Sequence, residues 1–147
     1  MHETIGSILR HKGHEVWSVR PEATVYDAIA LMARKSVGAA LVIGETALEA
    51  IVTERDYARK VILQGRSSKE THVSEIMTSD LVSVSPDNTV DDCMRLMTDR
   101  RIRHLPVIDG GKLVGIVSIG DLVKAKIADQ AHTIDQLHTY IGSNYPA

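Results

Sequence analysis

The sequence predicts an α/β protein of the α+β kind, made of two β-α-β-β-α halves related by a pseudo-twofold axis and packed into one module. Three observations carry this. A single offset of 65 residues, without a gap, aligns Ser18 with Ser83, Asp56 with Asp121 and Ile62 with Ile127, as expected for tandem copies of one supersecondary unit. Along it like meets like: Val19 with Val84, Pro21 with Pro86, Thr24-Val25 with Thr89-Val90, Leu31-Met32 with Leu96-Met97, and Val42-Ile43 with Val107-Ile108. In both copies an apolar, β-branched run ends in a hydroxyl residue with Asp three positions later, and a helical pattern begins at once (residues 47–56 and 112–121).

The elements follow in order. Residues 4–10 carry Ile5, Ile8 and Leu9 at helical spacing, and the loop His11-Lys12-Gly13-His14 leads into a strand over 15–19. Thr24 can cap a helix while Asp27, three residues on, answers back to the free backbone donor; Thr89 and Asp92 repeat the device. Apolar positions then fall at Val25, Ala28, Ile29 and Met32, and at Val90, Cys93, Met94 and Met97, the stripe of a helix laid on a sheet. Cys93 is therefore expected in the core. Strand pairs are predicted at 39–43 with 48–53 and at 104–108 with 113–118. Asp109-Gly110-Gly111 is a strong hairpin signal and Gly44-Glu45-Thr46 a weaker one. Helices over 54–63 and 119–129 complete the halves. A second lead-in, with Val73, Ile76 and Met77, precedes a strand over 81–84.

This gives a first repeat over 1–64, a polar linker over 65–71, a second repeat over 72–129 and a helical tail over 130–147. The tail carries Ile134, Leu137, His138 and Ile141 at helical spacing. Such a stripe covers either the core or a partner chain.

Each repeat of about 60 residues is marginal as an independent folding unit, so two halves sharing one core are expected from 147 residues. No apolar run approaches the roughly 20 residues needed to cross a bilayer, and Met1-His2-Glu3 opens no signal-peptide pattern, so no membrane is expected. A single cysteine excludes an intramolecular disulfide framework and suits a reducing compartment, the cytoplasm. A net charge of -2 and the lack of Phe supply neither the basic footprint nor the stacking platform of a nucleic-acid binder. No nucleic acid is expected.

Thr53-x-x-Asp56 and Ser118-x-x-Asp121 are open to two readings. Each is a capping-box pattern at a strand-to-helix junction. Each is also a place where free helix donors favour phosphate and a carboxylate suits a ribose diol. Arg100, Arg101, Arg103 and His104 form the densest basic cluster, either a solvated rim or a set of phosphate donors, and Arg55 is a further candidate. His11-x-x-His14 has no Cys or acidic partner at ligand spacing, so no metal is expected. No serine, cysteine or histidine stands in a nucleophile motif, so no catalytic residue is assigned.

With both repeats in view, the chain resembles a tandem pair of cystathionine-beta-synthase (CBS) domains, a Bateman module of stand-alone type. The resemblance is carried by Arg103-His104-Leu105-Pro106-Val107-Ile108-Asp109, then Gly110-Gly111-Lys112-Leu113-Val114-Gly115-Ile116-Val117-Ser118 and Asp121, with Thr53-Glu54-Arg55-Asp56 in the first repeat. It implies two related clefts between the halves that bind an adenosine-containing molecule such as AMP, ATP, NAD(H) or S-adenosylmethionine. Binding of this kind is regulatory, with no catalytic cofactor and no enzyme activity. Carried over by position, Asp121 and Asp56 would hold ribose, Ser118 and Thr53 would assist, and Arg103 with His104 would reach phosphate. The adenine slot nearer Asp121 would be built around Lys12, Trp17, Val37 and Gly38, and that nearer Asp56 by Val82, Ile102 and Arg103. The first repeat departs from the pattern, with Leu41 for Pro106, Ala50 for Gly115 and Gly38-Ala39 for Arg103-His104. One dominant site is therefore expected, in either cleft. The resemblance further implies a homodimer formed face to face and an output passed to a separate regulated protein; the tail helix either adds to the dimer interface or packs on its own chain. The competing reading is a protein-interaction scaffold that binds no ligand.

Overall fold

The computed structural model describes residues 3–144, with side chains through residue 137. Two compact units divide the chain. A central unit spans Glu15–Val82, and a composite unit joins the segment ending at His14 to the segment beginning at Ser83.

In the central unit, β1 (Ser18–Val19) runs parallel to β2 (Ala39–Ile43), which pairs antiparallel with β3 (Leu48–Thr53). α2 (Val25–Lys35) starts where expected, with the Asp27 amide donating to Thr24 Oγ1 at 3.1 Å. Its Val25, Ala28 and Met32 pack with Ala40, Val42, Ala50 and Val52 of the sheet, and Val61, Val73 and Ile76 complete that core. The alternation of the strand residues is the two-residue period of a pleated face. The expected helix over 54–63 is one α turn, α3 (Glu54–Tyr57), widening into a π-helical stretch at Ala58–Ile62.

The expected linker over 65–71 is instead part of this unit. The Val25 amide donates to Thr71 O at 2.8 Å and the Tyr26 amide to Ser68 O at 3.0 Å. Thr71 itself is buried, with its hydroxyl on Ser67 O. The first amides of a helix have no intrahelical acceptor, and this polar segment supplies carbonyls to them. Its polarity marks a cap on α2 and not a tether. The chain then forms a 3-10 turn at Val73–Glu75, with the Val73 amide on Ala23 O at 2.8 Å and the Ser74 amide on Pro21 O at 3.0 Å.

The composite unit repeats this arrangement with a segment from the other end of the sequence. α1 (Ile5–Lys12) sets the Ile5 amide on Asn88 O and the Gly6 amide on Pro86 O, both at 2.9 Å. The first amide of α4 (Val90–Arg100), that of Val90, donates to Glu3 O at 2.9 Å. Shifted by 65 residues, Asn88, Pro86 and Val90 are Ala23, Pro21 and Val25. Each lead-in therefore caps and packs on the other repeat's helix, so the compact units do not coincide with the spans 1–64 and 72–129.

β4 (His104–Asp109) and β5 (Lys112–Ser118) form an antiparallel hairpin. Gly110 and Gly111 both have positive φ, +57° and +80°, as a tight two-residue turn requires. The expected strand over 81–84 shrinks to one parallel bridge, Val84 with Val107, and that over 15–19 to two residues. At the start of 81–84 the Leu81 amide turns back to Ser79 O at 2.9 Å instead of joining a ladder, and past Val84 the Ser85 amide is taken by Asn88 Oδ1 at 2.8 Å.

Ile5, Ile8 and Leu9 of α1 are buried. A Cβ on Gly115 of β5 would meet Leu9 Cδ2 at 2.8 Å, which explains a glycine where the first repeat has Ala50. Cys93 is fully buried, as is its repeat counterpart Ala28. α5 (Ile119–Asn144) merges the expected helix over 119–129 with the tail in one run of 26 residues, about 39 Å long. Ile134 and Leu137 remain 53% and 54% exposed, so they do not enter a core of this chain. The side chains of His138 and Ile141 lie outside the described residues. No helix among the described residues is long and apolar enough to cross a membrane.

Candidate functional site

Both strand-to-helix junctions are closed capping boxes. In the composite unit the Ser118 amide donates to Asp121 Oδ2 at 2.8 Å and the Asp121 amide to Ser118 Oγ at 3.2 Å. In the central unit the Thr53 amide donates to Asp56 Oδ2 and the Asp56 amide to Thr53 Oγ1, both at 3.1 Å. The first helical amide of each junction is fixed by the residue ahead of the hairpin: Ile119 donates to Arg103 O at 2.8 Å and Glu54 to Gly38 O at 3.1 Å. Repeat symmetry thus extends to the backbone around each acid.

A cation neutralises each Asp, but from a different element. Lys12, the last residue of α1, places Nζ 2.6 Å from Asp121 Oδ2 and 2.7 Å from Ile116 O. Asp121 Oδ1 takes no hydrogen bond among the described residues. Burial pushes the Asp121 carboxyl up, but the hydrogen bonds from Lys12 and the Ser118 amide, with the Lys12 charge, hold it below the usual carboxylate range. In the central unit, Lys60 on the following turn places Nζ 3.0 Å from Asp56 Oδ1. Thr78 Oγ1 donates toward the same carboxylate, 3.2 Å from Oδ1 and 3.4 Å from Oδ2. Thr78 also exchanges backbone hydrogen bonds with Ile51, the counterpart of Ile116. Thr78 and Lys12 therefore do corresponding jobs at the ends of the two lead-ins. Asp56 is 7% exposed with both oxygens occupied.

His104, the first residue of β4, faces the Asp121 junction. Burial, then the nearby charges of Lys12 and Arg103, push it below its ordinary 6.5, with Asp121 opposing. Arg103 is exposed, with its carbonyl committed to the Ile119 amide.

The composite unit brings together Lys12, Arg103, His104, Ser118 and Asp121 of the expected site residues, and Ile102 closes the last turn of α4 with its amide on Met97 O at 3.0 Å. The central unit holds Trp17, Val37, Gly38, Thr53, Arg55, Asp56 and Val82. Trp17 lies under Lys35, with the ammonium 4.3 Å from the ring centroid. Val37 and Gly38 line a depression of about 540 Å³ between α2 and α3, with Ile29, Met32 and Tyr57. Arg55 is exposed on α3 and Val82 is partly buried. Lys12, expected around the slot nearer Asp121, is found paired with the Asp121 carboxylate itself. Thr78 and Lys60 were not expected at all. Lys60 was signalled by its position four residues after Asp56 on one helix face, whereas nothing local signals Thr78. Among the described residues no group of three or more His, Cys, Asp or Glu is placed to hold a metal. His14 is engaged through Nδ1 with Val114 O at 2.8 Å.

A solved structure of a protein with CBS domains from Burkholderia ambifaria superposes with a TM-score of 0.84 at 55% identity, covering 86% of this chain and 96% of that one. The mitochondrial CBS domain-containing protein CBSX3 of Arabidopsis thaliana is 44% identical over 152 residues, 97% of this chain and 73% of its own length. A hexameric CBS-CP12 protein from bloom-forming cyanobacteria matches with a TM-score of 0.75 at 35% identity, over 84% of this chain and 71% of that one. The CBS domain model itself matches residues 5–62 and 73–128. With two matched repeats and relatives along nearly its whole length, the chain belongs to the CBS-domain family of regulatory modules.

Proposed function

We propose that the module binds an adenosine nucleotide, of the AMP, ATP or NAD(H) type, with Asp121 on the ribose, and that occupancy alters its affinity for a separate regulated protein. One observation carries this: Asp121 keeps Oδ1 open at the head of α5, in a rim formed by Lys12, Arg103 and His104. A carboxylate accepts from both hydroxyls of a ribose diol, and the cations of the rim, Lys12 and Arg103, suit phosphate. Asp56 offers less, because its oxygens are occupied and Gly38-Ala39 stands where the second repeat has Arg103-His104. The Asp121 site is therefore the dominant one.

Binding is regulatory and leaves the ligand intact. The Cys93 thiol, pushed up to about 11 by burial, is no nucleophile, and its free, buried state suits the cytoplasm as the working compartment. The module acts as a homodimer to which the exposed stripe of α5 contributes. The scaffold reading draws support from the two closed capping boxes, which need no ligand to satisfy them.

Thermal melts of the wild type, Asp121→Ala and Asp56→Ala against AMP, ADP, ATP, NAD, NADH and S-adenosylmethionine test the proposal. At a hundredfold excess over the dissociation constant, linkage adds about 2.7 kcal/mol, a rise of several degrees. The expected result is a rise with at least one compound that Asp121→Ala removes and Asp56→Ala largely keeps. Flat melts from folded, ligand-free wild type would favour the scaffold.

A further inference from the structure

We propose that Lys12 determines the specificity of the Asp121 site, making it select ribose ligands that carry a phosphate over neutral nucleosides. The inference rests on the reading above, that Asp121 holds the ribose.

Asp121 Oδ2 already accepts from the Lys12 ammonium and the Ser118 amide. A diol engaging both carboxylate oxygens competes with Lys12 for Oδ2. The Ser118 amide belongs to the backbone of the capping box and stays in place. The ammonium sits at the end of a flexible four-carbon stem and can leave. The pair is 33% and 24% exposed, so water replaces the lost ion pair only in part. A neutral nucleoside gives the displaced cation no new counter-charge. A phosphate on the same ribose brings an anion into the rim, and Lys12 transfers from carboxylate to phosphate without losing charge pairing.

The other junction shows what is particular here. There the lead-in contributes the neutral hydroxyl of Thr78, and the cation comes from Lys60 on the helix that carries Asp56. At the position equivalent to Lys60 the second repeat has Ala125. Among the described residues Lys12 is the sole ion-pair partner of Asp121. Displacing Thr78 strands no charge, whereas displacing Lys12 does.

The test is isothermal titration of the full chain with adenosine, AMP and ATP, for the wild type, Lys12→Met, Lys12→Arg and Asp121→Asn. Melts first establish that each variant is folded, which the partly exposed end of α1 should permit. The wild type is expected to prefer the phosphorylated ligands by about tenfold or more, with the preference shrinking as salt rises. Lys12→Met should bring adenosine and AMP close to parity by tightening the first and weakening the second. Lys12→Arg should retain the preference. An unchanged preference in Lys12→Met, or equal weakening of both ligands, overturns the role of Lys12 while ribose binding at Asp121 stands. Binding indifferent to Asp121→Asn, or no binding by the wild type, removes the site and this inference together.

Discussion

Asp121 and Asp56 occupy equivalent positions and make the same backbone hydrogen bonds, yet their surroundings make them different chemical groups. Serine or threonine followed three residues later by Asp is a local pattern, so both capping boxes were legible in the sequence. The pairing of Lys12 with Asp121 was not, because 109 residues separate them and no spacing rule links them. His104 gives this corner a pH dependence. Its folded pKa lies below 6.5, so as pH falls through 6.5 the unfolded chain takes a proton that the folded chain refuses, and stability is lost. Thermal midpoints should fall from about pH 7 to about pH 5.5, and His104→Gln should flatten that slope. An equal slope in the variant would assign it to another group. Asp121, also lowered, acts in the same direction only further down, as pH falls below 3.8 toward its folded value. Gly115 tests packing at the same scale. Gly115→Ala drives a Cβ against Leu9 and should cost roughly 1–3 kcal/mol in urea unfolding. Leu9→Val, which removes the clashing δ carbons, should recover part of that in the double variant.

At the scale of elements, the hairpin strands and the helices α2 and α4 were legible because each rests on short-range chemistry: β-branched runs, a Gly-Gly turn, a threonine cap. The owner of each lead-in was not. An amphipathic stripe such as Ile5, Ile8 and Leu9 reports that a face is buried, without saying against which sheet. Only the hydrogen bonds to Asn88 and Pro86, far along the chain, assign it. This exchange makes the two obvious ways of cutting the protein unequal. A fragment over 15–82 keeps Val73 and Ile76, 0% and 1% exposed, and the carbonyls of Ser68 and Thr71 that cap α2. A fragment over 1–64 loses all of these, and each buried aliphatic side chain is worth roughly 1.5–3 kcal/mol, more than a unit of about 60 residues can spare. Circular dichroism with urea titration should show a cooperative transition for 15–82 and a broad or absent one for 1–64. The reverse order would mean that the lead-ins are ornament.

At the scale of the whole molecule, the tail is where chain and environment meet. The exposed apolar residues of α5 stand at Val123, Ile127, Ile134 and Leu137, in steps of four, seven and three. That is the spacing of a two-stranded coiled-coil seam, with isoleucine at one core position and valine or leucine at the other, interrupted by the polar Gln130 at the position that the step of seven skips. Ile141 continues the register in the sequence. A helix of 26 residues exceeds what covering its own unit needs, since Leu122 near its start is buried while Ile134 and Leu137 stay half exposed. In the proposed homodimer these side chains face a second copy. The variant Ile134→Glu with Leu137→Glu should therefore lower the sedimentation-equilibrium mass toward that of one chain. The melt of the dilute protein should change little, because neither side chain belongs to a core. A mass unchanged by the pair of substitutions would place the dimer contact elsewhere and leave the stripe to the regulated protein. Binding of phosphorylated ligand at Asp121, which lies on the first turn of the same helix, would then be read out along α5 by that protein instead of by a second copy.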